Sequence, residues 1–303
     1  MVVKDLKSLS EFCTVHWEGS DLPSFYKVMV ILNIVLSVTA TLDNSVILVA
    51  LANYSSIHAP SKMLLSSLTV TDLCVGAISQ PLVVTLLLSA LKESWNLCQM
   101  IEYSLPVTTT VFNGVSLTVL TAIGLDRLLA LTLKFRYIQI VTVERARRAV
   151  LVFWIKSGMI GALHLASQTL LFTVGVVLIL LDVFISSYSY IRIFFAIRRQ
   201  QAQVQVFLQT GNNTPNIARY RRSVFNALWA HLTLAICYTP FAVVTAVIVV
   251  RGSSTLLTMA QFSTLSLVYM NSSLNPALYC WRIKEVRQAV KQTIRQLPHC
   301  ISF

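Results

Sequence analysis

Long runs of apolar residues follow one another along this chain, separated by short segments in which charged and turn-forming residues cluster. Seven runs stand out, at residues 26–52, 63–91, 100–133, 149–168, 169–197, 224–250 and 256–281. About 20 mostly apolar residues in helical conformation cross roughly 30 Å of hydrocarbon, so each run predicts one transmembrane helix. The fourth and fifth runs are continuous and together too long for a single crossing. The polar step at Ser167, Gln168 and Thr169 divides them and predicts a very short loop there. Beyond the last run, Ile283, Val286, Val290 and Ile294 recur at helical spacing among basic residues, which predicts an amphipathic helix along the inner leaflet. The expected fold class is therefore all-α, an integral membrane seven-transmembrane helix bundle over residues 26–281, with a segment over 1–25 before it and an amphipathic helix and tail over 282–303 after it.

Of the 303 residues, 55% are hydrophobic and 12% charged, with a mean hydropathy of +0.70. A soluble globule of this length must cover itself with polar side chains, so this make-up requires lipid around the chain. Lys and Arg number 24 against 12 Asp and Glu. Repeated apolar spans nevertheless exclude a basic nucleic-acid binder, so membrane lipids and not nucleic acid are the expected surroundings. The positive charge is sorted by side. Arg145, Arg147, Arg148, Arg198, Arg199, Arg219, Arg221 and Arg222 fall in the turns after spans three and five, and Arg287, Lys291 and Arg295 in the tail. On the other side, Lys4, Lys7, Lys27, Lys92 and Arg251 are partly offset by Asp5, Glu11, Glu18, Asp21 and Glu93. The positive-inside rule then puts the amino terminus outside and the tail in the cytoplasm, with the plasma membrane as the expected location. No charged-then-apolar leader with a small-residue cleavage site precedes the first run, so span one is expected to act as its own insertion signal. Cys300, past the amphipathic segment, is either palmitoylated or an unmodified tail cysteine.

An ionisable group inside a span costs about 3 kcal/mol or more, so such residues mark function or a partner. Asp43 and Asn44 lie in span one, Asp72 in span two, Asp126 and Arg127 at the inner end of span three, Lys156 in span four, Asp182 in span five, and Asn271 and Asn275 in span seven. Asn44, Asp72 and Asn275 sit near mid-span, where short side chains cannot reach the headgroups. They are expected to converge inside the bundle and to bond one another or hold a cation.

Taken in order, these residues and their neighbours resemble the rhodopsin-like (class A) family of G protein-coupled receptors. Asn44 is similar to the family's span-one asparagine, and the run Leu68, Thr69, Val70, Thr71, Asp72 to its span-two motif. Asp126, Arg127 and Leu128 stand where the family has Asp-Arg-Tyr, Trp154 where it has the span-four tryptophan, and Tyr190 where it has the span-five tyrosine. Cys237, Tyr238, Thr239 and Pro240 resemble the span-six Cys-Trp-x-Pro, and Asn275, Pro276, Ala277, Leu278 and Tyr279 an intact Asn-Pro-x-x-Tyr. The resemblance implies a receptor that transmits an extracellular ligand signal to heterotrimeric G proteins. Asp126, Arg127, Tyr190, Pro240, Asn275, Pro276 and Tyr279 would carry coupling and activation, with Arg127 held by Asp126 at rest. It also implies an allosteric sodium ion at Asp72, Ser116, Asn271, Ser272 and Asn275, with no other cofactor. A polar knot that only holds helices together is the rival reading of the same residues.

The chain departs from the family's pattern in four places. The usual disulfide between span three and the second outer loop cannot form, and a Cys13–Cys98 bond is expected in its stead, with two free thiols as the alternative. Asp182 replaces the span-five proline and lies at the depth of Lys156, so either the two pair or a neutral Asp182 bonds a hydroxyl. Tyr220, Arg221 and Arg222 occupy the inner end of span six, where many relatives carry an acid that latches Arg127; basal signalling is expected to follow. Tyr238 replaces the span-six tryptophan.

Helical phase relative to the motifs places Thr109, Phe112, Asn113, Tyr238, Phe241, Thr245, Leu265 and Tyr269 around the outward-facing ligand site. Thr109 stands where amine receptors have an aspartate and Tyr269 where opsins have a lysine. A lipid or small neutral ligand is therefore expected first, and a peptide approaching Glu102 second. The short outer loop and missing proline are most similar to the melanocortin, cannabinoid, lysophospholipid and adenosine receptor group. A transporter or channel is the alternative class, without the internal repeats or broken helices it usually carries. A ligand-binding decoy that does not signal is another. No catalytic constellation is present, since His16, His58, His164, His231 and His299 fall in separate segments, so an enzyme is not expected.

Overall fold

Backbone polar groups in hydrocarbon must be satisfied within their own segment, and the apolar runs do this as helices. The computed structural model describes residues 22–53, 58–133, 136–208, 217–282 and 286–293, with the side chains of 165, 200–208, 217–231 and 281–282 outside the described set. Among the described residues the chain is helical with short connections and no strand. The long helices are α1 (Leu22–Asn53), α2 (Ala59–Leu91), α3 (Trp95–Leu133), α4 (Val143–Ala162), α5 (Gln168–Leu208), α6 (Ile217–Arg251) and α7 (Thr255–Arg282). A single turn, Tyr137–Ile140, lies between α3 and α4, and residues 286–293 form α8.

Five of these segments are by themselves long and apolar enough to cross a membrane: Leu22–Asn53, Ala59–Leu91, Trp95–Leu133, Gln168–Arg199 and Leu232–Arg251. The other two long helices carry more polar sequence. The inner end of α4 holds Glu144, Arg145, Arg147 and Arg148, and α7 holds Ser266, Asn271, Ser272, Ser273 and Asn275. They complete the bundle through contacts with neighbours. The outer faces present large apolar side chains, among them Ile31, Leu42, Val177, Phe184 and Val250, as a lipid-facing surface requires. The chain is a multi-pass membrane protein.

Close helix contact is set by small residues. Gly76 faces α1 so tightly that a Cβ there would stand 2.8 Å from Thr41 Oγ1 and 2.9 Å from the Thr41 backbone nitrogen. The Ser37 hydroxyl donates to the Gly76 carbonyl at 2.6 Å. A π-helical turn over Val75–Ser79 falls at this contact, just before Pro81, whose missing N–H disturbs the regular ladder.

The predicted division of the fourth and fifth runs is observed: α4 ends at Ala162, one 3-10 turn spans Leu163–Leu165, and α5 starts at Gln168. The amphipathic segment is only partly as expected. Val286 and Ala289 of α8 are buried, and Val286 and Val290 join an inner cluster with Ile47, Leu51, Leu64 and Tyr279. That apolar face is docked on the bundle, because the cluster offers it protein contacts. Ile283 and Ile294 lie outside the described residues.

Candidate functional site

A buried seam of polar groups runs through the bundle. Asp72 is wholly buried and receives hydrogen bonds from Ser116 Oγ at 3.0 Å and from Asn275 Nδ2 at 2.7 Å. Pro276 has no N–H to give the carbonyl four residues before it, which is that of Ser272. Asn44 Nδ2 supplies the missing donor at 3.1 Å while also donating to Ala40 O at 2.8 Å. Farther out, Asn33 Nδ2 donates to Ser266 Oγ at 2.9 Å, and Ser273 Oγ to the Leu36 carbonyl at 3.1 Å. Asn44, Asp72 and Asn275 therefore converge as the sequence predicts. Next to them, the Ser272 hydroxyl also faces the Asp72 carboxylate, and Asn271 Nδ2 is buried without a hydrogen-bond partner in the protein. Asp72, Ser116, Asn271, Ser272 and Asn275 together present carboxylate, hydroxyl and amide oxygens, the donor set of a hard cation.

At the carboxyl end of α3, Asp126 is buried and Arg127 exposed. Both oxygens of Asp126 accept from neutral hydroxyls: Ser61 Oγ at 2.9 Å from the start of α2 and Tyr137 OH at 2.7 Å from the turn below α3. Burial and the Asp126 carboxylate push the Tyr137 hydroxyl up to about 12, so it acts as a donor. Among the described residues the ion pairs within 4 Å are those of Glu144 with Arg147 and Arg148. The expected hold of Asp126 on Arg127 is thus absent here, and the two hydroxyls occupy the carboxylate instead. Tyr190 is buried, its ring 3.4 Å from where a Cβ on Gly124 would stand, and Tyr279 is buried in the inner cluster. The side chains of Tyr220, Arg221 and Arg222 lie outside the described residues.

Toward the end of the bundle that holds Glu102 and Gln261, a cavity with an empty volume of about 1190 Å³, open solvent included, is lined by α3, α4, α5, α6, α7 and one residue of α2. Of the eight ligand-site candidates, Thr109, Asn113, Tyr238, Phe241, Thr245 and Leu265 line it. Two do not. Phe112 turns to the edge of Trp154, with ring centroids 6.3 Å apart, and Tyr269 is fully buried behind the wall with its hydroxyl 2.9 Å from Thr109 Oγ1. The sequence reading left out Ser157 of α4, Gln261 of α7, and Phe172, Gly175, Val176 and Ile179 of α5. No motif marks them, since an apolar span-five residue looks alike whether it faces lipid or ligand.

Lys156 and Asp182 also line the cavity, joined through Thr118. Lys156 Nζ donates to Thr118 Oγ1 at 2.7 Å, and that hydroxyl lies 3.2 Å from Asp182 Oδ2 and 2.8 Å from the Gly114 carbonyl. The two alternatives for Asp182 thus merge: it bonds a hydroxyl, and the hydroxyl carries the lysine. Cys98 is fully buried and disulfide-bonded, while Cys74, Cys237 and Cys280 are free. Cys13 and Cys300 lie outside the described residues.

The sequence model of the family described as 7 transmembrane receptor (rhodopsin family) matches residues 43–173, from mid-α1 into the first turns of α5.

Proposed function

Because the sequence model of the rhodopsin family of seven-transmembrane receptors matches residues 43–173, we propose that the chain is a member of that family and carries a signal from a lipid or small neutral ligand outside the plasma membrane to a heterotrimeric G protein inside. The observation that carries this reading is the position of Tyr238. Its side chain lines the cavity on one side and faces the Asp72 and Ser116 pair on the other. A ligand that displaces Tyr238 acts directly on the seam that ends at Asn275, Pro276 and Tyr279. Pro240 and Pro276 interrupt the ladders of α6 and α7 and give both helices a place to bend.

Asp72, Ser116, Asn271, Ser272 and Asn275 would hold a sodium ion. When bound, the ion supplies a counter-charge that favours the resting bundle. At the inner end, Arg127 is the group offered to the G protein, with Tyr190 and Tyr279 beside its helix. The exposure of Arg127 and the engagement of Asp126 by Ser61 and Tyr137 support basal signalling. A Cys13–Cys98 bridge would fold the amino-terminal segment over the cavity, and Cys300 would add a lipid anchor beyond α8.

A ligand-library screen read by G-protein nucleotide exchange tests the proposal. Exchange above background without ligand, a further rise with an active compound, and loss of both in Arg127→Ala are expected. Exchange that is indifferent to Arg127→Ala would sink it.

A further inference from the structure

Three buried side chains in the cavity wall have polar atoms without a hydrogen-bond partner in the protein: both amide atoms of Asn113 and the hydroxyls of Ser157 and Thr245. These residues are 6%, 1% and 2% exposed, in that order. A buried polar group left unpaired is costly, so three in one wall mark a place where a polar group is received. They come from three helices, and the approach of two of these depends on Gly114. A Cβ on Gly114 would stand 3.1 Å from Ser157 Oγ, so this small residue lets α4 bring Ser157 beside the Asn113 turn of α3.

Charge narrows the ligand further. Lys156 and Asp182, one of each sign, meet on Thr118 and leave that end of the cavity without net charge. Glu102 also lines the cavity, but 11 residues before Asn113, about 16 Å away along α3, and it interacts with another group in the protein. The rest of the wall is largely apolar, with Leu105, Phe172, Val176, Phe241, Phe262 and Leu265. A carboxylate placed here would add a second negative charge near Asp182, and an ammonium a second positive charge near Lys156. Neither has a free counter-charge in a low-dielectric site. An amide, by contrast, meets the Asn113 carboxamide at two points, donor to acceptor and acceptor to donor.

We propose that the cavity receives an uncharged amphiphile whose polar end presents an adjacent hydrogen-bond donor and acceptor, as a fatty amide does. The polar end sits at Asn113 and Ser157, with the hydrocarbon toward Phe172, Phe241 and Leu265. This rests on the reading of the cavity as the receptor's ligand site and names the chemistry of what enters it.

The test uses the full-length protein in phosphatidylcholine nanodiscs, heated with dodecanamide, dodecanoate or dodecylammonium at equal concentration. Dodecanamide is expected to raise the unfolding midpoint by at least about 2 °C, with the two ions well below it. Asn113→Leu, which replaces the unpaired amide by an apolar group of similar size, keeps its own sharp transition and loses the dodecanamide increment; Ser157→Ala reduces it. An increment that survives Asn113→Leu, an equal or larger one from either ion, or none from any probe overturns the proposal. Nucleotide exchange and its dependence on Arg127, measured on the same preparation, report on the receptor reading separately. Arg127-dependent exchange with no amide response overturns the ligand class alone.

Discussion

Single side chains do specific repairs in this bundle. Asn44 is the clearest, because it caps a carbonyl that Pro276 leaves without its helical donor. Asn44→Leu fills the same space but gives the Ser272 carbonyl nothing. A loss of about 1–3 kcal/mol is expected, seen as a lower unfolding midpoint in nanodiscs; a midpoint equal to the unmodified protein would refute the repair. Tyr137 offers a second case. Its hydroxyl donates to Asp126 Oδ1 at 2.7 Å and so occupies an oxygen that Arg127 could otherwise engage. Tyr137→Phe frees one carboxylate oxygen to turn toward Arg127, so basal nucleotide exchange is expected to fall severalfold. Exchange that stays level would show that Tyr137 does not hold the arginine's partner away. Burial raises this phenol from 10.0 to about 12, which favours its protonated form in the fold. Its contribution is therefore constant below pH 10 and disappears only as pH climbs through 12. A dependence of basal exchange on Tyr137 that vanishes between pH 7 and 9 would contradict that sign.

Between elements, the notable contact joins α3, α4 and α5 through Lys156, Thr118 and Asp182. Removing one charge leaves the other half-buried without its counter-charge, whereas removing both leaves apolar neighbours. Lys156→Met and Asp182→Leu are each expected to lower stability by about 1–3 kcal/mol, and the double variant to recover most of that loss. If the double variant loses the sum of the singles, the charges are not coupled. This contact also marks the limit of what the sequence discloses. The equal depth of Lys156 and Asp182 is legible by counting from Gln168, since helix rise converts residue number to depth. Thr118 as the bridge is not legible, because it depends on the rotation of three helices at once. Phe112 and Tyr269 fail for a related reason. Helical phase assigns each to roughly the right face, but which side of that face meets the cavity is decided by crowding from Trp154 and Thr109. The seven long helices were readable because lipid imposes length and apolarity on each span. The docking of α8 on Ile47 and Leu51 was not, since an amphipathic stripe serves protein and leaflet equally well.

Across the whole molecule, the cavity and the Tyr279 end of the bundle are joined by a seam with few ways to rearrange. Tyr238 faces Asp72, Asp72 bonds Ser116 and Asn275, and Asn275 precedes the proline that breaks α7 above Tyr279. Lipid outside permits no hydrogen bonding with water in compensation, so moving one member obliges its partners to find new bonds. Under the proposed sodium reading, the charge of Asp72 is the quantity that a bound cation would balance. Asp72→Asn keeps a side chain of the same shape and can still bond Ser116 and Asn275, but carries no charge for the ion to balance. In the unmodified protein, replacing choline by sodium at constant ionic strength is expected to lower basal nucleotide exchange severalfold. In Asp72→Asn the same exchange of salts is expected to leave it unchanged while the unfolding midpoint stays within a few degrees. Sodium sensitivity that persists in Asp72→Asn would move the ion elsewhere, and sodium insensitivity of both proteins would reduce the seam to a device for holding helices together.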